Sequence, residues 1–216
     1  MTAKESTVVR DLVRAGLRRG STEASLCDDR LTMSTTEFWT SVDTEVARLE
    51  SAGPKGVRVY LPMSHDASQV EALIRLVAVM ESGRSVLLSP EDWTEESREY
   101  AKRWCFLEYG TGRSNYELGV LSRATDERPL RSGCLSDFNA DAHEAVVLFT
   151  SGSTGTPKGV RLASSAVVRN VEAVSTRLGF LGDDEVVASP LSLAHSFGLS
   201  TALLSLARGW GLSMTT

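Results

Sequence analysis

The sequence predicts an α/β fold, layered, with a mainly parallel sheet flanked by helices. Three observations carry this. Val86-Leu87-Leu88 and Val146-Val147-Leu148-Phe149 are short, wholly apolar runs of the kind found in strands buried on both faces. Segments with apolar residues at helical spacing alternate with such runs along the chain. Gly, Pro, Ser, Thr and Asp fall at the joints, where helices begin and end.

The elements follow in order. Val8, Leu12, Val13 and Leu17 lie on one helical face, and Gly20 is the expected stop. Short strands are expected near Ala24–Cys27 and Leu31–Met33. Ser34 or Thr35 then caps a helix with Phe38, Trp39, Val42, Val46 and Leu49 inward, ended by Gly53-Pro54. Val57–Leu61 reads as a strand. Asp66 is the expected cap of a helix carrying Val70, Leu73, Ile74 and Val77, and Gly83 closes it before Val86–Leu88. A crossover of that length between parallel strands is right-handed. A charged helix from Glu95 to Arg103 and a strand from Cys105 to Tyr109 repeat the theme. Residues 110–142 are polar and read as a surface connection with one strand at most. Beyond the Val146 run, Val160-Arg161-Leu162 reads as a strand, and Ser164 or Ser165 caps a helix with Val167, Val168, Val171, Val174 and Leu178 inward, closed by Gly179. Glu185–Ser189 is an expected strand, and Ser200–Ala207 an expected helix ended by Gly209.

The 216 residues suffice for a core without disulfide or metal staples. At 42% hydrophobic and 24% charged, the chain is neither collagen-like nor wholly disordered, and three cysteines do not make a disulfide scaffold. A net charge of −5 gives no basic footprint, so no nucleic-acid partner is expected. Cys27, Cys105 and Cys134 are widely spaced, no Cys-x-x-Cys occurs, and the three His are scattered. Idle thiols in a reducing compartment are expected, with no metal-ligand set. Residues 1–20 lack the apolar run of a signal peptide, and no stretch approaches the length of a membrane span, so a cytoplasmic location is expected. The basic excess in those twenty residues reads as a solvated helix face.

Chemistry concentrates in Thr150-Ser151-Gly152-Ser153-Thr154-Gly155-Thr156-Pro157-Lys158-Gly159. Ten residues hold three Gly, five hydroxyls, one Pro and one Lys. Gly152, Gly155 and Gly159 permit positive φ and close approach of backbone to a ligand. Successive amides can form an anion nest, hydroxyls add neutral donors, and Lys158 adds a mobile positive charge. Only four Lys stand against nineteen Arg, so Lys158 is not background. A plain Gly/Ser turn between strands is the simpler alternative, but the ordered run and its terminal Pro-Lys-Gly favour a polyphosphate cradle. Other phosphate and nucleophile patterns fit worse. A Walker A loop needs Gly-Lys-Ser/Thr opening a helix. Gly110-Thr111-Gly112 lacks the third Gly of a dinucleotide fingerprint, and Gly152-Ser153-Thr154-Gly155 has the wrong spacing for a nucleophile elbow.

The Thr150–Gly159 run resembles the signature phosphate loop of the adenylate-forming superfamily, which comprises acyl- and aryl-CoA synthetases, peptide-synthetase adenylation domains and luciferases. Pro190-Leu191-Ser192-Leu193-Ala194-His195-Ser196-Phe197-Gly198-Leu199 is similar to the family's next core motif, at the expected distance. The segment from Leu31 to Phe38, the strand Val57–Pro62 with its helix, and Gly83–Pro90 resemble earlier landmarks in the same order. The resemblance implies ATP-dependent activation of a small carboxylic acid as an acyl- or aryl-adenylate, then transfer to a thiol of CoA or a carrier-protein phosphopantetheine. It implies that Thr150, Ser151, Gly152, Ser153, Thr154, Gly155, Thr156 and Lys158 hold the ATP phosphates with Mg²⁺. It places His195, as the catalytic candidate, with Phe197 and Gly198 in the acid pocket. A lone His is more often a plain core or surface residue; its position after the loop, followed by Phe197 and Gly198, favours the pocket. His65 and His143 lack that context and read as surface residues.

The family's later motifs are a Tyr-Gly-x-Thr-Glu segment, a ribose-binding Thr-Gly-Asp, a hinge and a small C-terminal domain with a catalytic Lys. Tyr109-Gly110-Thr111-Gly112 mimics the first but precedes the loop and lacks Thr-Glu. The resemblance therefore implies that 1–216 is a partial N-terminal, AMP-binding domain, divisible at 1–142 and 143–216, with the C-terminal domain absent. Activity is expected as a fragment or as one part of a split enzyme joined by a complementary chain. A non-catalytic nucleotide-binding or partner-binding module is the alternative. No pocket Asp follows Phe197 through Leu206, which points toward acyl or aryl acids rather than amino acids.

Overall fold

Alternating strands and helices close into two sheets with a helical layer between them. The computed structural model describes residues 6–16, 24–64, 66–110, 118–121, 140, 143–150, 158–182 and 184–214. In chain order the elements are helix α1 (Ser6–Gly16), strands β1 (Ser25–Asp28) and β2 (Thr32–Ser34), helix α2 (Thr35–Ala52), strand β3 (Arg58–Pro62), helix α3 (Gln69–Glu81), strand β4 (Ser85–Ser89) and helix α4 (Glu95–Lys102). Then come strands β5 (Leu107–Tyr109), β6 (Leu118–Val120), β7 (Glu144–Thr150) and β8 (Lys158–Ala163), helix α5 (Ser164–Arg177), strand β9 (Val186–Ala188), helix α6 (Ser196–Arg208) and strand β10 (Gly211–Met214).

Four strands form one sheet in the order β2-β1-β10-β9, and six form the other in the order β6-β5-β3-β4-β7-β8. Among the described residues the ladders β1–β10, β3–β4, β3–β5 and β4–β7 are parallel, as is β10–β9 at one edge. The antiparallel ladders, β1–β2, β5–β6 and β7–β8, each end at a sheet edge. Their connections are short, and a short connection can only return the chain antiparallel; parallel neighbours need a crossover. The mainly parallel sheet read from the sequence therefore holds at the centre and gives way at the other edges. Both sheets draw strands from either side of residue 142, so the 142/143 boundary is not a boundary between sheets.

Helix α3 shows why the layers stack this way. Ten of its thirteen residues are buried, and a helix apolar on nearly all sides must be covered on all sides. It packs on β1 of one sheet, on β3 and β4 of the other, and on α1 and α2. Strands β3 and β4 are buried at every position; the apolar run Val86–Leu88 predicts this for β4, whereas β3 buries Arg58 along with its apolar residues. Their other face packs with Trp104, Cys105 and Val147 beneath α4 in a smaller second core.

Local details depart from the sequence reading in instructive ways. Ser34 caps α2 in a reciprocal capping box with Glu37. The cap of α3 is Ser68 rather than Asp66, and α5 starts after Ala163 with no side-chain cap, not from a capping Ser164 or Ser165. Helix α1 turns Val9 and Val13 inward; of the expected Val8, Leu12, Val13 and Leu17, Val13 is buried and Leu12 partly buried, while the Val8 side chain, Leu17 and Gly20 lie outside the described residues. A Cβ on Gly16 would overlap the Leu206 carbonyl oxygen, so α1 meets α6 backbone to backbone there. The polar span 110–142 contains one described strand, β6. Strand β10 is interior, between β1 and β9, not an open edge.

Asp28 joins the two halves of the fold. Its Oδ2 accepts from Ser68 Oγ at 2.6 Å and from the Val70 amide at 2.9 Å, at the start of α3. Its Oδ1 accepts from the Arg30 and Leu31 amides, both at 2.8 Å. Burial works against the charge, but these hydrogen bonds outweigh it and hold the carboxyl below its ordinary value of 3.8. A depressed carboxyl contributes stability that is complete above the ordinary value and is lost as pH falls through the folded one. Asp28→Asn is therefore expected to lower the melting temperature at pH 7, with the gap to wild type closing below about pH 4. A constant gap from pH 7 to pH 2 in thermal melts would contradict this role.

Candidate functional site

Strands β3, β4 and β7 run parallel, so their carboxyl ends lie at one end of the six-stranded sheet, where open α/β sheets bind ligands. Strand β7 ends there at Thr150, and β8 begins at Lys158. The hairpin register pairs Thr150 directly with Lys158, and Phe149 with Gly159. Both Thr150 and Lys158 are exposed. Ser151, Gly152, Ser153, Thr154, Gly155 and Thr156 lie outside the described residues. The structure thus brings the first and last polar residues of the proposed cradle side by side at the mouth of the sheet.

Gly159 has another use than the one read from sequence. Among the described residues positive φ occurs at Gly56, Gly83 and Gly209, and Gly159 is ordinary strand. A Cβ there would meet the Val147 side chain at 3.3 Å and the Phe149 ring at 3.4 Å. The missing side chain leaves room for the Phe149 ring across the hairpin. The same ring meets Trp93 edge to face, with centroids 4.6 Å apart and planes at 72°.

The amino end of the same strands is fixed by charge. Arg58 on β3 donates from Nε to Glu144 Oε1 at 2.7 Å and from Nη2 to Oε2 at 2.9 Å. The two side chains are 1% and 2% exposed. Ser85 on β4 donates to the same carboxylate at 2.8 Å, so β3, β4 and β7 are tied at one point. A bulge between Glu144 and Val146 lies beside it. The sequence reading passed over this group, since an Arg and a Glu 86 residues apart carry no local pattern. A cleft of about 50 Å³ lined by Arg84, Ser85, Glu144 and Ser164 opens at this amino end. It is at the wrong end of the sheet for the loop and has room for a water or two, not for a nucleotide.

His195 is the N-cap residue of α6, which starts four residues before the expected Ser200. Its carbonyl accepts from the Leu199 amide at 2.9 Å, while its imidazole takes no part in the cap and is exposed. Phe197 is 66% exposed, which interrupts the apolar periodicity and hid the first turn from sequence reading. Gly198 is required: a Cβ would overlap the Ser192 carbonyl oxygen and lie 2.6 Å from that of Leu191. His195, Phe197 and Gly198 therefore sit together in one helical turn, folded against residues 191–192. Helix α5 packs on β7, on β8 and on α6, and so joins the elements that carry the two candidate groups. Among the described residues no cluster of His, Cys, Asp and Glu suits a metal ion, and no helix is long and apolar enough to cross a membrane.

Known proteins resemble this chain in sequence and in fold. Residues 122–215 match the model of the AMP-binding enzyme family. The hybrid PKS-NRPS synthetase iccA of Talaromyces variabilis is 30% identical over 92% of this chain and 4% of its own length. The acyl-CoA ligase sidI of Aspergillus fumigatus is 36% identical over 44% of this chain and 16% of its own. The crystal structure of ATP-bound MatB from Rhodopseudomonas palustris superposes with a TM-score of 0.67 at 17% identity, over 98% of this chain and 45% of that one; at that identity it establishes the fold. Over residues 122–215 the chain is similar to the AMP-binding enzymes, and it shares the fold of the N-terminal domains of adenylate-forming enzymes. It spans a small fraction of these curated relatives and about half of the solved structure.

Proposed function

We propose that this chain supplies the ATP-cradling share of a ligase that activates a carboxylic acid. The observation that carries the reading is the pairing of Thr150 with Lys158 at the carboxyl end of the parallel strands, closing a run of hydroxyl, Gly and Lys residues chemically matched to a polyphosphate. A carboxylate oxygen attacks the α-phosphorus of ATP, the bond to the pyrophosphate oxygen breaks, and an acyl- or aryl-adenylate forms. A thiol of CoA or of a carrier-protein phosphopantetheine then displaces AMP. Thr150, Ser151, Ser153, Thr154 and Lys158, with the backbone amides of Gly152, Gly155 and Thr156, hold the β- and γ-phosphates together with Mg²⁺. Their work is positioning and charge neutralisation. His195, with Phe197 and Gly198, lines the acid pocket at the start of α6, where unpaired helix amides favour a carboxylate.

On this reading 1–216 forms part of an N-terminal domain, the adenine site and catalytic Lys come from a complementary segment or chain, and the reaction runs in the cytoplasm. Carboxylate-dependent ATP–pyrophosphate exchange tests it. Exchange is expected when the complementary portion is supplied and not from the 216 residues alone. Tight ATP binding without exchange in the completed protein, across acyl and aryl acids, would favour a non-catalytic nucleotide-binding module instead.

A further inference from the structure

We propose that Trp93 is a positioning residue for the Thr150–Lys158 pair, acting through the Phe149 ring; this rests on the ATP-binding reading of that pair. Trp93 leaves the carboxyl end of β4, the parallel neighbour of β7, and is held in place from both sides. Thr94, the next residue, caps α4 by accepting from the Ser97 amide. Arg98 reaches back from α4 to the Glu91 carbonyl at 2.8 Å. The connection bearing Trp93 is therefore anchored to α4 and not free to follow the hairpin.

Phe149 is the neighbour of Thr150 in sequence, and its register partner Gly159 is the neighbour of Lys158. Its ring lies against the bare backbone of Gly159 and makes the edge-to-face contact with Trp93. Strand β8 is an exposed edge, with Lys158 through Arg161 open to solvent. Hydrogen bonding to β7 alone leaves the end of such a hairpin free to fray. The Trp93–Phe149–Gly159 stack ties this exposed end to the buried parallel strands. Preorganised donors bind more tightly because less ordering remains to be done on binding.

The test is a double-mutant cycle on Trp93 and Lys158, read as MgATP affinity of the full 216-residue chain by calorimetry. Trp93→Ala is expected to weaken binding about 2- to 10-fold, the range an aromatic pair supports. Trp93→Phe, which keeps a ring edge, is expected to restore most of it. In a Lys158→Ala background the effect of Trp93→Ala is expected to shrink below about 2-fold, since residues acting as a unit are not additive. A merely structural Trp93 would give the same loss in both backgrounds, and that result overturns the proposal, as does wild-type affinity in Trp93→Ala. Should Trp93→Ala fail to fold, Trp93→Leu keeps the bulk without the ring and runs the same cycle. Absence of MgATP binding by the folded wild-type chain overturns the ATP-binding reading, and this proposal with it.

Discussion

Glu144→Ala is expected to destabilise the fold by about 3–5 kcal/mol, a large share of the about 5–15 kcal/mol that holds an ordinary domain folded. The cost is less the lost attraction than the charge left behind. Arg58 is 1% exposed, and without Glu144 its buried guanidinium loses the two hydrogen bonds that this carboxylate accepts. Ser85 Oγ loses its acceptor in the same change. The three parallel strands that lead to the loop are then no longer tied at their amino ends. A double variant separates these effects. Replacing Arg58 by Met together with Glu144 by Leu removes both charges and keeps apolar bulk, and such replacements are often neutral or stabilising. Urea denaturation is expected to place Glu144→Ala far below wild type and the double variant well above Glu144→Ala. Equal midpoints for wild type and Glu144→Ala would contradict the tie.

Lys158→Ala is expected to leave the fold intact and to damage nucleotide binding. The side chain is exposed on an edge strand, so truncation should change stability by less than about 0.5 kcal/mol. A charge-assisted hydrogen bond to phosphate is worth about 1.5–3 kcal/mol, or roughly a 10- to 150-fold loss of ATP affinity. Thr150→Ala, which removes a neutral hydroxyl, is expected to cost only about 1 kcal/mol, or fivefold. The order Lys158→Ala worse than Thr150→Ala, with both melting like wild type, distinguishes a phosphate cradle from a plain turn. Equal affinities for ATP in Lys158→Ala and wild type would remove the assigned role.

What was legible in the sequence follows the reach of each physical signal. Buried parallel strands announce themselves as apolar runs, and β4 and β7 lie where those runs fall; β3 was legible as a strand, but not its burial on both faces, because Arg58 interrupts it. Helix ends were legible where glycine or a capping box marks them, as at Ser34, Gly83 and Gly209. The cap of α3 was misplaced because Ser68 and Asp66 are equally plausible in sequence, and the choice is made by Asp28, 40 residues away. The first turn of α6 was hidden by an exposed Phe197. In the candidate site, the identities of Thr150 and Lys158 were legible, but their direct pairing came from hairpin register. The Arg58–Glu144–Ser85 tie and the Trp93–Phe149 contact had no sequence signal, because each depends on strands brought together only by folding.

The proposed function requires this chain to hold the phosphates of ATP between β7 and β8. Calorimetric titration of the folded 216-residue chain with MgATP tests it most directly. Saturable binding is expected, displaced by inorganic pyrophosphate and weakened by tens of fold in Lys158→Ala. A folded chain that takes up no MgATP at millimolar concentration, or whose binding pyrophosphate leaves untouched, would contradict it.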